Sequence, residues 1–225
     1  MLCRIDRQSR RSVRTRPWNI AWSTEKCMFA IDHGIFAPLY EAAFGKLKPL
    51  AASGQEALLG SLEQDPDITD IRCAAYMLAT VKHECADRWQ PIEEFGKGKN
   101  RPYGQPVTVT DADGTQFTNV YYGRGFVQLT WKLNYDKIGR ALNFGNGLLL
   151  HPEHALEPLT AYRIMSYGMR QGSFTTKKFS DYIHDDNCDY FQARRIINAL
   201  DQAALIQGYA EKLEGLLKSS LVTDG

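Results

Sequence analysis

From Ile35 onward, apolar residues recur with a helical period over most of the chain. The segment DITDIRCAAYMLATVKHECADRW, residues 67–89, carries the strongest pattern. Ala74, Met77, Leu78 and Val81 fall at i, i+3, i+4 and i+7, one face of a helix, and Asp70 stands where an N-cap is expected. Helix formers with apolar spacing also fill IFAPLYEAAFGKL, GQEALLGSLEQ, LTWKLNYDKIGRAL and LEPLTAYRIMSYGMRQG. The last helical segment is DYFQARRIINALDQAALIQGYAEKLEGLL, with Ile206, Tyr209, Leu213 and Leu216 as its stripe. One stretch breaks the pattern. In QPVTVTDADGTQFTNVYYG, Val107, Val109, Phe117 and Val120 flank DADG, a turn signal, so a small β-hairpin is expected there. Residues 143–152 and 172–178 read as connecting loops. The sum is a mainly α domain with one small β element.

Composition narrows the class. With 225 residues the chain can bury a sizeable core as one domain. Residues 1–27 differ from the rest: they are rich in Arg and Ser and lack apolar periodicity, which predicts a disordered basic arm before a domain spanning 28–225. Met28 opens the first convincing folded segment. A formal net charge of +1 gives no global argument for nucleic acid or membrane binding, and no apolar run is long enough to span a membrane. The five cysteines are widely spaced without a C-x-x-C pair, so reduced thiols are expected rather than a disulfide scaffold or a structural zinc site. The N-terminus is basic but has no signal-peptide apolar core. The expectation is a monomer made in the cytoplasm that reaches any outside target by another route.

Candidate chemistry concentrates in HECADRWQPIEEFGKG, residues 83–98. It starts like a zinc-protease helix, but Asp87 stands where the second histidine would be needed, so no metal is expected at His83. DADG resembles the start of a calcium loop without its later ligands, which favours a turn. Glu84 follows Val81 by three residues and Met77 by seven, so it extends the apolar face. Burial there would favour a protonated acid; an ion pair from Glu84 to Arg88 is the competing surface reading. Pro91 and the glycines that follow end the helix, leaving Glu93 and Glu94 on a loop. A helix-borne acid facing a loop-borne carboxylate is the arrangement of a glycosidase. The aromatics Trp89, Phe95, Tyr103, Tyr121 and Tyr122 are available to stack on sugars or to fill a core.

Downstream lies YYGRGFVQLTWKLNY, from Tyr121 to Tyr135. Together with His83-Glu84 it resembles the family 19 glycoside hydrolases, which include class I chitinases and endolysins of lysozyme-like fold. The resemblance runs from about Ala74 to Leu217 and looks most like the endolysin branch. It implies a lysozyme-like α+β fold and hydrolysis of β-1,4 bonds in N-acetylglucosamine-containing polymers. It further implies inversion, no cofactor and a polysaccharide partner, peptidoglycan before chitin. Glu84 matches the general acid. Glu94 is the expected general base, with adjacent Glu93 as the alternative. Tyr122, Gln128, Thr130, Asn134, Tyr135 and Asn198 match positions near the substrate, although Ala199 stands where the family usually has glycine. Amides and hydroxyls suit such sites because they both donate to and accept from sugar hydroxyls.

Overall fold

A computed structural model describes residues 29–222, so the basic arm expected over 1–27 lies outside the described residues. The helices are α1 His33–Phe44, α2 Pro49–Glu63, α3 Ile71–Glu84, α4 Lys132–Ala141, α5 Gly147–Leu150, α6 Pro158–Gln171, α7 Tyr190–Ala193 and α8 Ala203–Ser219. The strands are β1 Ile92–Glu93, β2 Val107–Thr110, β3 Gln116–Asn119, β4 Arg124–Gly125, β5 Ile183–His184 and β6 Asn187–Cys188. They form three antiparallel pairs, β1 with β4, β2 with β3, and β5 with β6. The fold is mainly α, with small β elements.

The expected hairpin is β2–β3, in register Val107 to Asn119 and Val109 to Phe117. Its DADG turn is closed by Asp111, whose Oδ1 accepts from the amides of Asp113 and Thr115. The two further strand pairs escaped the sequence pattern because two residues per strand are too few to show alternation.

The strongest expected helix is α3, capped by Asp70, whose carboxylate accepts from the Arg72 amide. Its burial exceeds the expectation. Every residue from Cys73 to Lys82 is buried, not only the Ala74–Met77–Leu78–Val81 face. The reason is position: α3 runs through the middle of the molecule, packing most extensively on α8, and small Ala74, Ala75 and Ala79 admit close neighbours. A helix covered on all sides needs no polar face.

The last helical segment also differs. It does not run unbroken. After α7 and a 3₁₀ turn at Arg194–Ile196 the chain leaves helical geometry, and α8 starts only at Ala203 behind a left-handed Gln202. A buried side chain sets this break. Arg194 donates from Nε to the Asp201 carbonyl at 3.0 Å, so the loop folds back on its own preceding helix.

Among the described residues, Cys73 and Cys85 are buried and unpaired, and Cys188 is exposed and unpaired. No helix among them is long and apolar enough to cross a membrane.

Candidate active site

Glu84 is the final residue of α3, and its side chain keeps 20% exposure. Its Oε1 accepts from Nη1 of Arg194 at 2.7 Å, and that guanidinium is only 2% exposed. The expected competing pair to Arg88 is therefore replaced by a pair to a residue 110 positions away in the chain. Sequence reasoning missed Arg194. The signal was present: it falls four residues after Tyr190 and directly after Ala193, on the apolar side of a short helix, where an arginine needs an acidic partner. Asn198 belongs to the same corner, because its amide donates to the Arg194 carbonyl at 3.0 Å. Its side chain is exposed, with Oδ1 accepting from the Ala199 amide.

The chain turns sharply after Glu84. Ala86, Asp87 and Trp89 all adopt positive φ, of 48°, 59° and 54°. Three left-handed residues without a glycine need outside support. Trp89 is fully buried, with its ring edge-on to Tyr40 at 5.6 Å. Asp87 pairs with buried Lys82, whose ammonium also donates to the Tyr40 hydroxyl at 3.1 Å and lies 4.5 Å from the Phe44 ring. Burial, and then the Asp87 charge, push the Tyr40 phenol up, so it stays a donor to Asp87. Next to Glu84, burial raises the Cys85 thiol to about 12, which leaves it unreactive.

The second carboxylate cluster forms where β1 pairs with β4, placing Glu93 opposite Arg124. Glu93 accepts from the Tyr122 hydroxyl at 2.5 Å and from Lys97 at 2.8 Å. Lys97 first, then Tyr122, hold the Glu93 carboxyl below the usual carboxylate range. The Tyr122 phenol is pushed above its ordinary value by burial and then by that bond. The Arg124 guanidinium covers the Tyr122 ring at 3.6 Å.

Glu94 has a different environment. Its Oε2 accepts from the Gly123 amide at 3.0 Å and its Oε1 from the Tyr103 hydroxyl at 2.8 Å. Its own amide donates to the Gly123 carbonyl at 2.7 Å. Oε2 thus ties the loop of residues 94–104 to the YYGRG segment, and Oε1 closes that loop on itself at Tyr103. Tyr103 meets half-exposed Trp131 edge-on at 5.2 Å, giving this cluster an aromatic rim.

The block from Tyr121 to Tyr135 serves mostly to hold this cluster together. Gln128 sits at φ 53° and spends its amide nitrogen on the carbonyls of Ile92, at 3.1 Å, and Gly125, at 3.2 Å, locking β1 to β4. Gly123 lets that side chain pass closely: a Cβ there would stand 2.8 Å from Gln128 Oε1 and push it aside. Thr130 and Asn134 are half-buried. The Thr130 hydroxyl donates to the Gln128 carbonyl, and Asn134 Nδ2 to the Thr130 carbonyl. Tyr135 departs from its expected place beside the substrate. It is fully buried, its hydroxyl donating to the Tyr122 carbonyl at 2.8 Å and accepting from Arg124 at 3.1 Å. Its links to the cluster run through Tyr122 and Arg124.

The structure therefore gathers the expected residues into two neighbouring groups. Glu84 and Asn198 share the corner around Arg194. Glu93, Glu94, Tyr122, Gln128, Thr130, Asn134 and Tyr135 share the β1–β4 region. Cys85 joins them, its thiol 3.9 Å from the Phe126 carbonyl beyond β4.

No family model matches the sequence, and no curated protein matches it. Among solved structures, chitinase C from Streptomyces griseus superposes with a TM-score of 0.53 at 20% identity, over 85% of this chain and 80% of that one. The fold is similar to that of chitinase C. A bacterial family 19 chitinase matches with a TM-score of 0.47 at 20% identity, over 81% of this chain and 94% of that one.

Among the described residues, one group could hold a metal ion: His151, Glu153 and His154, on the 3₁₀ turn that packs against β4 and α6. His83 and Asp111 are not part of it.

Proposed function

We propose that this protein is a glycoside hydrolase that cleaves β-1,4 bonds in N-acetylglucosamine-containing cell-wall polymers, with peptidoglycan as its substrate. The observation that carries the reading is the pair of carboxylate clusters, Glu84 at the end of α3 and Glu93 on β1, built on a fold similar to a chitinase. Glu84 is the general acid. Arg194 occupies its Oε1, which leaves Oε2 to carry the proton to the glycosidic oxygen as that bond breaks. A carboxylate across the cleft takes a proton from water, which attacks the anomeric carbon from the opposite face and inverts it.

Of the two candidates for this base, Glu93 fits better than Glu94. Glu94 has both oxygens engaged in loop bonds, one of them to a backbone amide. Glu93 is held ionised by a tyrosine and by exposed Lys97, a partner that a substrate can displace. Thr130, Asn134 and Asn198 supply polar groups for sugar hydroxyls, while Tyr122 and Gln128 position Glu93. The two carboxylates and water suffice, so no cofactor is needed.

The test is a turbidity assay on purified cell walls run beside chitin hexamer, with products read by mass spectrometry. Lysis of walls with little chitin cleavage is the expected result. Chitin is the second reading, favoured by the chitinase activity named for the structural neighbour. Efficient cleavage of chitin alone would establish it, and cleavage of neither would remove the glycosidase reading.

A further inference from the structure

The connection between the two carboxylates has an outer side that the reaction does not use. Residues 86–88 and 90–92 form one wall of a cleft of about 620 Å³, and the start of α2 with the segment before it forms the other. Its floor is apolar, with Leu50, Pro91 and Ile92. Leu50 is 71% exposed, which leaves its side chain open to an apolar group of a ligand. Three cations line the cleft: Lys46, Lys48 and Arg88. All three are exposed, and none has an ion-pair partner among the described residues. The single acid in the lining, Asp87, is already neutralised by Lys82. The cleft is therefore net positive over an apolar floor.

Its place matters as much as its charge. Ile92 lines the cleft and Glu93 is its neighbour on β1, so the cleft and the second carboxylate are built on the same strand, on its opposite faces. Chitin offers nothing that this cleft selects, since its substituents are neutral acetamides. Peptidoglycan carries a short peptide on alternate sugars, with methyl side chains and free carboxylates. We propose that this cleft receives that peptide stem, its carboxylates against Lys46, Lys48 and Arg88 and its methyl groups on Leu50 and Pro91. This inference rests on the glycosidase reading and gives it a substrate: the cleft makes the protein prefer stem-bearing glycan over bare glycan.

The experiment compares three substrates: glycan strands with stems, the same strands stripped of stems by an amidase, and chitin hexamer. The wild type is measured against Lys46→Glu/Lys48→Glu and Arg88→Glu. The expected result is a fall of about tenfold or more in kcat/KM on stem-bearing strands, with rates on stripped strands and chitin within about twofold. Added salt should shrink the wild-type advantage, because the contacts are exposed. An equal fall on all three substrates, or none on any, would overturn the inference while leaving the glycosidase reading intact. Absence of cleavage of every glycan by the wild type would instead remove that reading. A second arm then decides the site by itself: a free stem tetrapeptide is titrated into Glu84→Gln and followed by NMR. Shifts at residues 46–50 and 86–92 that vanish in the charge-reversed variants support the site. Equal binding by inorganic polyphosphate at these residues would show a cleft that reads charge alone and would overturn it.

Discussion

Glu93 and Glu94 are adjacent, chemically identical and differently used, which shows where residue-scale reading of a sequence stops. Both stood out as loop carboxylates after Glu84. What separates them is the register of a two-residue strand: Glu93 stands opposite Arg124, while Glu94 turns onto Gly123 and Tyr103. No local pattern encodes that register. Glu93→Ala should therefore lower kcat by about 10²-fold or more, while Glu94→Ala mainly loosens the loop and lowers stability by about 1–3 kcal/mol. The reverse order in single-turnover rates and melting would return the base to Glu94. The pH profile gives an independent check. The base must be ionised, so activity falls as pH drops through its folded pKa. Lys97, ahead of Tyr122, holds that value below the ordinary range, and Lys97→Met removes the larger part of the hold. The acid limb of kcat/KM should then move to higher pH. An unmoved limb would mean that Glu93 is not the group titrating. For the acid, Glu84→Gln keeps the shape and the Arg194 contact but has no proton to deliver. A loss of about 10²-fold or more is expected, together with a lower melting point because the buried Arg194 charge loses its ionic partner, and a near wild-type rate would take Glu84 out of the mechanism.

At the scale of elements, the helices are legible in their apolar spacing, but the extent of their burial is not. The apolar stripe of α3 was read correctly but was only part of its buried surface. The segment from Tyr190 to Leu217 read as one helix because its apolar spacing persists through INALD; the break follows from the bond between Arg194 and the Asp201 carbonyl. The turn after α3 is held in the same way by distant groups. Lys82 sits 5% exposed among the rings of Tyr40, Phe44 and Tyr209, at 5.5, 4.5 and 5.1 Å. Its partner Asp87 is 54% exposed. Removing one side of such a pair strands a buried charge, whereas replacing the buried member with an apolar chain of similar volume does not. Asp87→Ala should thus cost about 1–3 kcal/mol, and Lys82→Met less, because Asp87 can be solvated where it stands. Urea midpoints measured at unchanged m-value provide the comparison. Equal costs would mean that the rings, not Asp87, carry the ammonium.

Over the whole molecule, the described chain closes on itself. Ile31 bridges Leu221; the Asp32 amide donates to the Ser220 carbonyl at 2.7 Å, and the Val222 amide to the Ala30 carbonyl at 2.9 Å. Glu63 of α2 completes the clasp, accepting from the Ile31 amide at 2.7 Å and pairing with His33 at 3.1 Å. Nothing in the sequence announces this, because the partners stand at opposite ends of the chain and periodicity reports only neighbours. The clasp bears on the site. It fixes the end of α8 to the start of α1, and α8 is the main support of α3, which carries Glu84 at its far end. Ending the chain after Ser219 removes both backbone bonds and buried Ser220. At roughly 1 kcal/mol per bond, and about 2–4 °C per kcal/mol for a domain of this size, melting should drop by about 4–8 °C. Ending it after Val222 keeps every one of these contacts and should leave melting unchanged. The clasp is remote from the carboxylates, so the shorter chain at low temperature should cleave its glycan at close to the full rate, losing activity only as it nears its own melting point. Two truncations with the same melting curve would mean that the clasp adds nothing to the fold. A rate lost already in the cold would mean that α8 transmits the state of the chain ends to Glu84 along α3.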